Sequence, residues 1–414
     1  MSEPIPPLRR DVQPVAVEKD GQRMFLLNDP EGICKNTLLL SPGAMLLAAL
    51  FDGELGAREL RGIFAEKGGQ LEEEELVKLA ETLRQAGLLE TEEVAAERKR
   101  ILDGFLASPV RKALHAGGGY PKDTIELAKF LGGFCVDPKG PGKTMGAPTR
   151  AEASLGLMSP HIDFERGGPT YAWGYQALSE APPPDLIIAL GVAHASPDSP
   201  WAATRKDYET PHGPMKVSPE LFDAFKDSLW YDALDDEWVH RKEHSLEFQA
   251  VWLRFLWKDK TPPWLPILCS SFERFCPDRA PSSVENIEGA ILRFGESLRD
   301  RVKAGQRVMV LAGVDMAHVG PCFGDDIALD QALFQRLESE DRVSLKHAQE
   351  LDADAFYLSV VKGGDWRKVC GLSAMYTALR WMKALGGGEG RLLSYGQAPD
   401  PSGGVVSFAS LVYH

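Results

Sequence analysis

Three apolar runs in this chain stop on a residue that can do chemistry. Ser154-Leu-Gly-Leu-Met-Ser-Pro160 runs into His161, residues 186–193 run into His194, and residues 308–314 run into Asp315, with His318 three positions on. Unbroken apolar runs of this length read as strands covered on both faces, as in a parallel sheet. Ligands of open α/β sheets bind beyond the carboxyl ends of the strands, so these polar stops are the first candidates for a site. After His161, the charged and glycine-rich residues 163–168 read as a turn that carries the chain away.

Helical spacing fills the intervals. Asp123 is placed to cap a helix bearing Ile125, Leu127, Leu131 and Phe134. Residues 284–298 and 327–337 read as helices, and a last one begins at Cys370-Gly371 and continues through Met375, Leu379 and Trp381. Residues 265–271 form a further buried strand, and residues 392–395 and 405–413 two terminal ones. In His240-Arg-Lys-Glu243-His244-Ser-Leu-Glu247, the two histidines are four apart, as are the two glutamates, so each pair could share a helical face. Leu246, Phe248, Trp252 and Leu253 supply that helix's apolar side. No glutamate follows the first histidine, so the zinc-protease pattern HExxH does not apply. Residues 138–148 and 196–211 read as loops on the side of the site. Strands alternating with helices from 154 to 383 predict an α/β fold with a central mixed sheet flanked by helices.

The N-terminal pattern is different. In residues 1–92 a short strand at Met24-Phe-Leu-Leu27 precedes a helix opened by Ser41-Pro42. Leu60, Ile63 and Phe64 recur at helical spacing, as do Leu76, Leu79 and Leu83 behind the acidic turn at residues 72–75. The charged residues 93–109 read as a linker and residues 110–414 as the larger domain.

Composition narrows the function. At 414 residues two domains are the expectation, and 44% hydrophobic with 26% charged residues is ordinary for a globular protein. A net charge of −14 argues against nucleic acid as a partner, as does glutamate where DNA readers place Arg and Lys. The longest apolar stretch, residues 44–51, is far short of a membrane span, and residues 1–13 lack the apolar core of a signal peptide. Six cysteines without a CxxC pair indicate neither a disulfide framework nor a zinc ribbon. The cytoplasm is the expected compartment.

Read together, Ala-Leu-His115-Ala-Gly, Pro160-His161, Gly191-Val-Ala-His194, Glu243-His244-Ser-Leu-Glu247, Asp315-Met-Ala-His318, Cys370-Gly371 and the C-terminal stretch from Ser407 resemble the Memo family. That family is similar in fold to the LigB-type class III extradiol dioxygenases, and its bacterial members are known as component B of a system with a radical-SAM and an AMMECR-type protein. The strand and helices of residues 1–92 resemble a PqqD-like winged-helix module that recognises peptides. The Memo resemblance implies metal ligands at His161, His194 and Cys370. It implies polar or acid/base roles for Asp315 and His318, and a further motif beside the site at His244 and Glu247. The chain departs from the family pattern at Ala195, where a second histidine is common. It departs again at Ile162-Asp163-Phe164, in place of Ala-Gly-Tyr, and at Leu372 and Ser373, in place of Arg and His.

Imidazole suits iron, copper and zinc, and thiolate moves the preference towards copper(I) or zinc. The resemblance thus implies a transition metal, iron or copper before zinc. Glu247 and Asp315 are rivals to Cys370 as third ligand, because a carboxylate completes a set typical of non-heme iron(II). Three functions stay open. One is a redox or metal-handling protein, dioxygenase-like if catalytic, acting with the radical-SAM partner. A second is a non-catalytic protein that binds a peptide or partner in an enzyme-like cleft. The third is a metal hydrolase with Asp315 or Glu247 as base.

Overall fold

Strands written as unbroken apolar runs must be covered on both faces, and the larger part of this chain is arranged to do so. The computed structural model describes residues 3–29, 31–34, 37–66, 70–400 and 402–414. Two compact units result, Met1–Ala107 and Ser108–His414.

The first unit holds an antiparallel sheet, β1 (Gln13–Lys19), β2 (Gln22–Asn28) and β3 (Leu38–Leu40), in that order. Four helices follow: α1 (Pro42–Ala48), α2 (Ala57–Glu66), α3 (Glu73–Gln85) and α4 (Glu92–Ala107). The Ser41 side chain accepts from Ala44 N, and Pro42 opens α1, as the sequence pattern requires. Leu60, Leu76 and Leu83 are buried, but Ile63 is 39% exposed and does not join them. Residues expected as a charged linker form α4.

In chain order the second unit begins with β4 (Val110–Arg111), α5 (Thr124–Val136), β5 (Gly156–Ser159), α6 (Phe164–Ser179) and β6 (Leu186–Val192). Next come β7 (Trp201–Ala203), β8 (Asp207–Tyr208), α7 (Pro219–Ser228), α8 (His244–Trp257), β9 (Trp264–Cys269) and α9 (Glu285–Lys303). The chain closes with β10 (Val308–Gly313), β11 (His318–Val319), α10 (Gln331–Gln349), α11 (Ala353–Val361), α12 (Leu372–Ala384), β12 (Arg391–Asp400) and β13 (Gly404–Tyr413). The main sheet is ordered β11-β13-β5-β10-β6-β9-β7, with β12 also on β13. Its centre, β5-β10-β6-β9, is parallel, while β13 and β7 run antiparallel to their neighbours. The fold is therefore α/β with a mixed sheet. Helices α7, α9 and α12 cover one face; α5, α6 and α8 cover the other. Side chains such as Leu157, Ile188 and Leu311 are wholly buried, each contributing about 1.5–3 kcal/mol.

Several expectations change. Residues 164–168 are the first turn of α6, not a turn leading away, because the Asp163 carboxylate caps the helix at Arg166 N. Gly167 and Gly168 serve packing: a Cβ there would lie 2.4 Å from Ile162 and 2.6 Å from Phe134. The stretch 196–211 contains β7 and β8, and Trp201, Ala202 and Ala203 are all buried. Loop 138–148 runs along α6, with Lys139 O accepting from Trp173 and Lys143 paired to Glu180, so it does not cover the strand ends near His161. The helix expected from residue 327 begins at Gln331, capped by Asp330. His240 shares no helix with His244. It lies in the separate 3-10 turn Glu237–Arg241, buried against Tyr208 OH at 2.7 Å and Ala202 O at 3.0 Å. Among the described residues no helix is long and apolar enough to cross a membrane.

Candidate metal centre

The carboxyl ends of β5, β6 and β10 lie side by side, so the residues just beyond them, His161, His194 and Asp315, meet above one sheet edge. Two glycines let α8 close in on the same edge. A Cβ on Gly191 would sit 2.6 Å from Ser245 Oγ, and one on Gly313 would sit 2.7 Å from Ser245 O. Only glycine leaves room for this approach, which sets Glu243 and His244 beside the strand ends. Gly371 does the same for Cys370, since a Cβ there would lie 2.6 Å from Asp315 O.

The rings of His161 and His194 stand 5.1 Å apart and nearly perpendicular. His244 stacks on His194 at 5.0 Å and lies 5.3 Å from His161. Each histidine has its outer nitrogen engaged. His161 Nδ1 donates to Gly313 O at 3.0 Å, which leaves the Nε2 lone pair facing Cys370 Sγ at 3.4 Å. His194 Nδ1 donates to the Glu243 carboxylate at 3.0 Å. One donor atom each from His161, His194 and Cys370 lies within 4.8 Å of the others. That spacing suits a metal with bonds of about 2.0–2.3 Å once the ligands draw in.

His194, Glu243 and His244 are equally close, but hydrogen bonds already account for that closeness. Glu243 accepts from His194 N, Ser245 N and His194 Nδ1, and its Oε1 is 3.3 Å from His244 Nδ1. Its lone pairs are spent on holding histidines. Sequence reading passed over Glu243 as a site residue. The available signal was its place as N-cap of α8, one residue before the histidine.

Of His161, His194 and Cys370, only His161 is held in the form that binds a metal. Burial, with His194 and His244 nearby, keeps His161 well below the usual histidine range and hence neutral. Burial opposes charge on His194, but Glu243 outweighs it and raises the group. His244 is held at about 4, mainly by burial. Burial also raises the Cys370 thiol well above its ordinary value, with Asp315 adding to the effect. Burial thus outweighs the backbone hydrogen bond that favours the thiolate, and deprotonation falls to a bound cation.

Asp315 is buried, and its Oδ1 accepts from His161 N at 3.0 Å. Its Oδ2 stands 3.6 Å from His161 Nε2, on the open side of that ring. The far nitrogen of His161 is oriented by Gly313 O, not by Asp315. Burial raises Asp315 to about 7 against the hydrogen bonds it accepts. His318 is kept at about 4, by burial first and then by His194. Its buried Nδ1 has no hydrogen-bond partner.

These groups line a cleft of about 340 Å³ with Ile162, Asp163, Arg166, Phe248, Phe323, Asp400 and Val406. Arg166 spans its rim, paired to Asp163 at 2.6 Å and Asp400 at 2.9 Å. A larger concavity of about 860 Å³ along α3 is lined mainly by charged side chains and holds none of this chemistry.

Glu247 does not line the cleft. Its carboxylate accepts from Arg111, His115 N, His115 Nδ1 and Tyr120 OH, all within a buried cluster. Burial opposes its charge, yet Arg111 and these donors hold it at about 2. With its lone pairs occupied it is fitted neither to a metal nor to the role of base, against the expectation that it acts in the site.

Comparison with known proteins identifies the family. The family model described as "Memo-like protein" matches residues 111–412. A MEMO1 family protein of Aquifex aeolicus is 26% identical over 392 residues, covering 94% of this chain and 96% of its own. That match is longer than residues 108–414, so it extends into the first unit. A Thermus thermophilus MEMO1 family protein is 29% identical over 294 residues, 71% of this chain and 80% of its own. A solved uncharacterized protein of Escherichia coli K12 aligns with a TM-score of 0.35 at 16% identity, covering 63% of this chain and 99% of that one.

Proposed function

The chain belongs to the Memo family, and from that premise we propose that His161, His194 and Cys370 hold one transition-metal ion, iron or copper before zinc, in a redox or metal-handling protein. The observation that carries the reading is the convergence of two anchored imidazoles and a thiol within 4.8 Å. Two nitrogens and a sulfur leave a coordination position open for water or a small ligand. When bound, such an ion supplies a Lewis acid and, for iron or copper, a one-electron couple.

This chain's own groups do the rest. Gly313 O and Glu243 fix which nitrogen of each histidine faces inward. Asp315, near neutrality at about 7, can hold or release a proton beside His161 Nε2. His318 lines the same cleft and is kept at about 4, so its neutral ring can accept one from a molecule there. Phe248, Phe323, Ile162 and Val406 supply the cleft's apolar lining. The hydrolase reading keeps only Asp315 as base, because Glu247 is fully engaged. A non-catalytic cleft for a peptide or partner remains the rival reading, and the unpartnered His318 Nδ1 favours a working site over it. Radical-SAM and AMMECR-type partners, a PqqD-like peptide-recognising role for the first unit and the LigB-type kinship belong to this proposal on the strength of family likeness.

The test is metal content after anaerobic purification, with iron, copper and zinc measured together. The proposal expects stoichiometric metal in the wild type and background metal in His161→Ala. A folded wild type that stays metal-free under iron, copper and zinc loading would overturn it.

A further inference from the structure

Behind the cleft lies a buried charge pair that the chemistry above does not use. Asp341 on α10 and Arg367, three residues before Cys370, are both almost wholly buried, and Arg367 Nη1 donates to Asp341 Oδ1 at 2.8 Å. The other Asp341 oxygen accepts from Ser407 Oγ at 2.5 Å, and Ser407 Oγ accepts from Ala317 N at 2.9 Å. The Ser407 backbone grips the same segment, taking Met316 N on its carbonyl and giving its own N–H to Ala317 O. Arg367 O then takes His318 N at 2.7 Å. Every backbone N–H from residue 316 to 318 therefore ends on Ser407 or Arg367.

Buried ion pairs are poor stabilisers, since desolvation offsets most of the attraction, but satisfied networks of this kind fix geometry. The segment they hold carries Asp315 and His318, and the same arginine stands one turn before the turn that carries Cys370. We propose that the Asp341–Arg367 pair, acting through Ser407, is a positioning device that sets the Asp315–His318 segment in the cleft. This rests on the cleft being the working site.

The test uses the metal-free full-length chain, so its outcome is independent of metal binding. With isotope-labelled histidines, the ring signals of His318, assigned by their loss in His318→Gln, are followed in Ser407→Ala. His212, whose ring lies against Phe255 on α8, serves as the remote control. The proposal expects the His318 signals to shift and broaden while His212 stays in place and unfolding stays cooperative. His318 signals that superimpose on the wild type, or that move only together with His212, would overturn it. Asp341→Asn, which keeps the shape but removes the charge, should repeat the effect and stands in if Ser407→Ala does not fold. If neither variant folds, the network is a requirement of the fold and the proposal fails.

Discussion

Glu243 and Glu247 stand one helical turn apart at the start of α8, both buried, and their clusters make opposite use of a carboxylate. Around Glu247 the donors are Arg111, His115 and Tyr120, and the group is saturated and closed. Around Glu243 the donors are histidines whose other nitrogens are left over, facing His161 and Cys370 across a cleft. The difference lies in what remains unsatisfied. A closed cluster holds the fold together, whereas a cluster with spare lone pairs pointing inward is available to a ligand.

Breaking the closed cluster has the largest expected effect on stability. Glu247→Gln leaves Arg111 charged and uncompensated, so unfolding free energy in urea should fall by about 3–5 kcal/mol while bound metal is retained. A variant of unchanged stability would erase the distinction. Glu243→Gln should act the other way, with a modest loss of stability and metal affinity weaker by about 10–100-fold, read by competition with a chelator. Equal affinity would show that the carboxylate does not tune the site. Asp315→Asn should weaken affinity by no more than that range, because Asp315 touches His161 from beside and does not anchor its far nitrogen. Unfolding of this variant would instead assign Asp315 to the core.

The smallest effect concerns acid. Glu247 is held at about 2 when folded, below its ordinary 4.5, so its contribution is full above about 4.5 and is lost as pH falls towards 2. The stability gap between wild type and Glu247→Gln should therefore narrow between about pH 5 and pH 3. A gap constant with pH would contradict the depressed acidity.

Much of this was legible because the chemistry sits where patterns are simplest. Strands β5, β6 and β10 are covered on both faces, so their apolar runs and polar stops could be read directly. What misled was local composition with a tertiary cause. Gly167 and Gly168 look like a turn, but they let α6 close on Ile162 and Phe134. His240 and His244 share a spacing but not a helix, because the Glu243 cap starts α8 between them. Strand β7 is three residues long, too short to show alternation. Glu243 and Glu247 could not be told apart by spacing, since what separates them is the set of donors that Arg111, His115 and Tyr120 bring from more than a hundred residues away.

The most direct test of the central claim sets Cys370→Ser beside Glu247→Gln, both purified anaerobically, with bound metal counted per chain. The account predicts metal lost or severely depleted in the serine variant and retained in the glutamine variant. Full metal in Cys370→Ser together with loss in Glu247→Gln would contradict it.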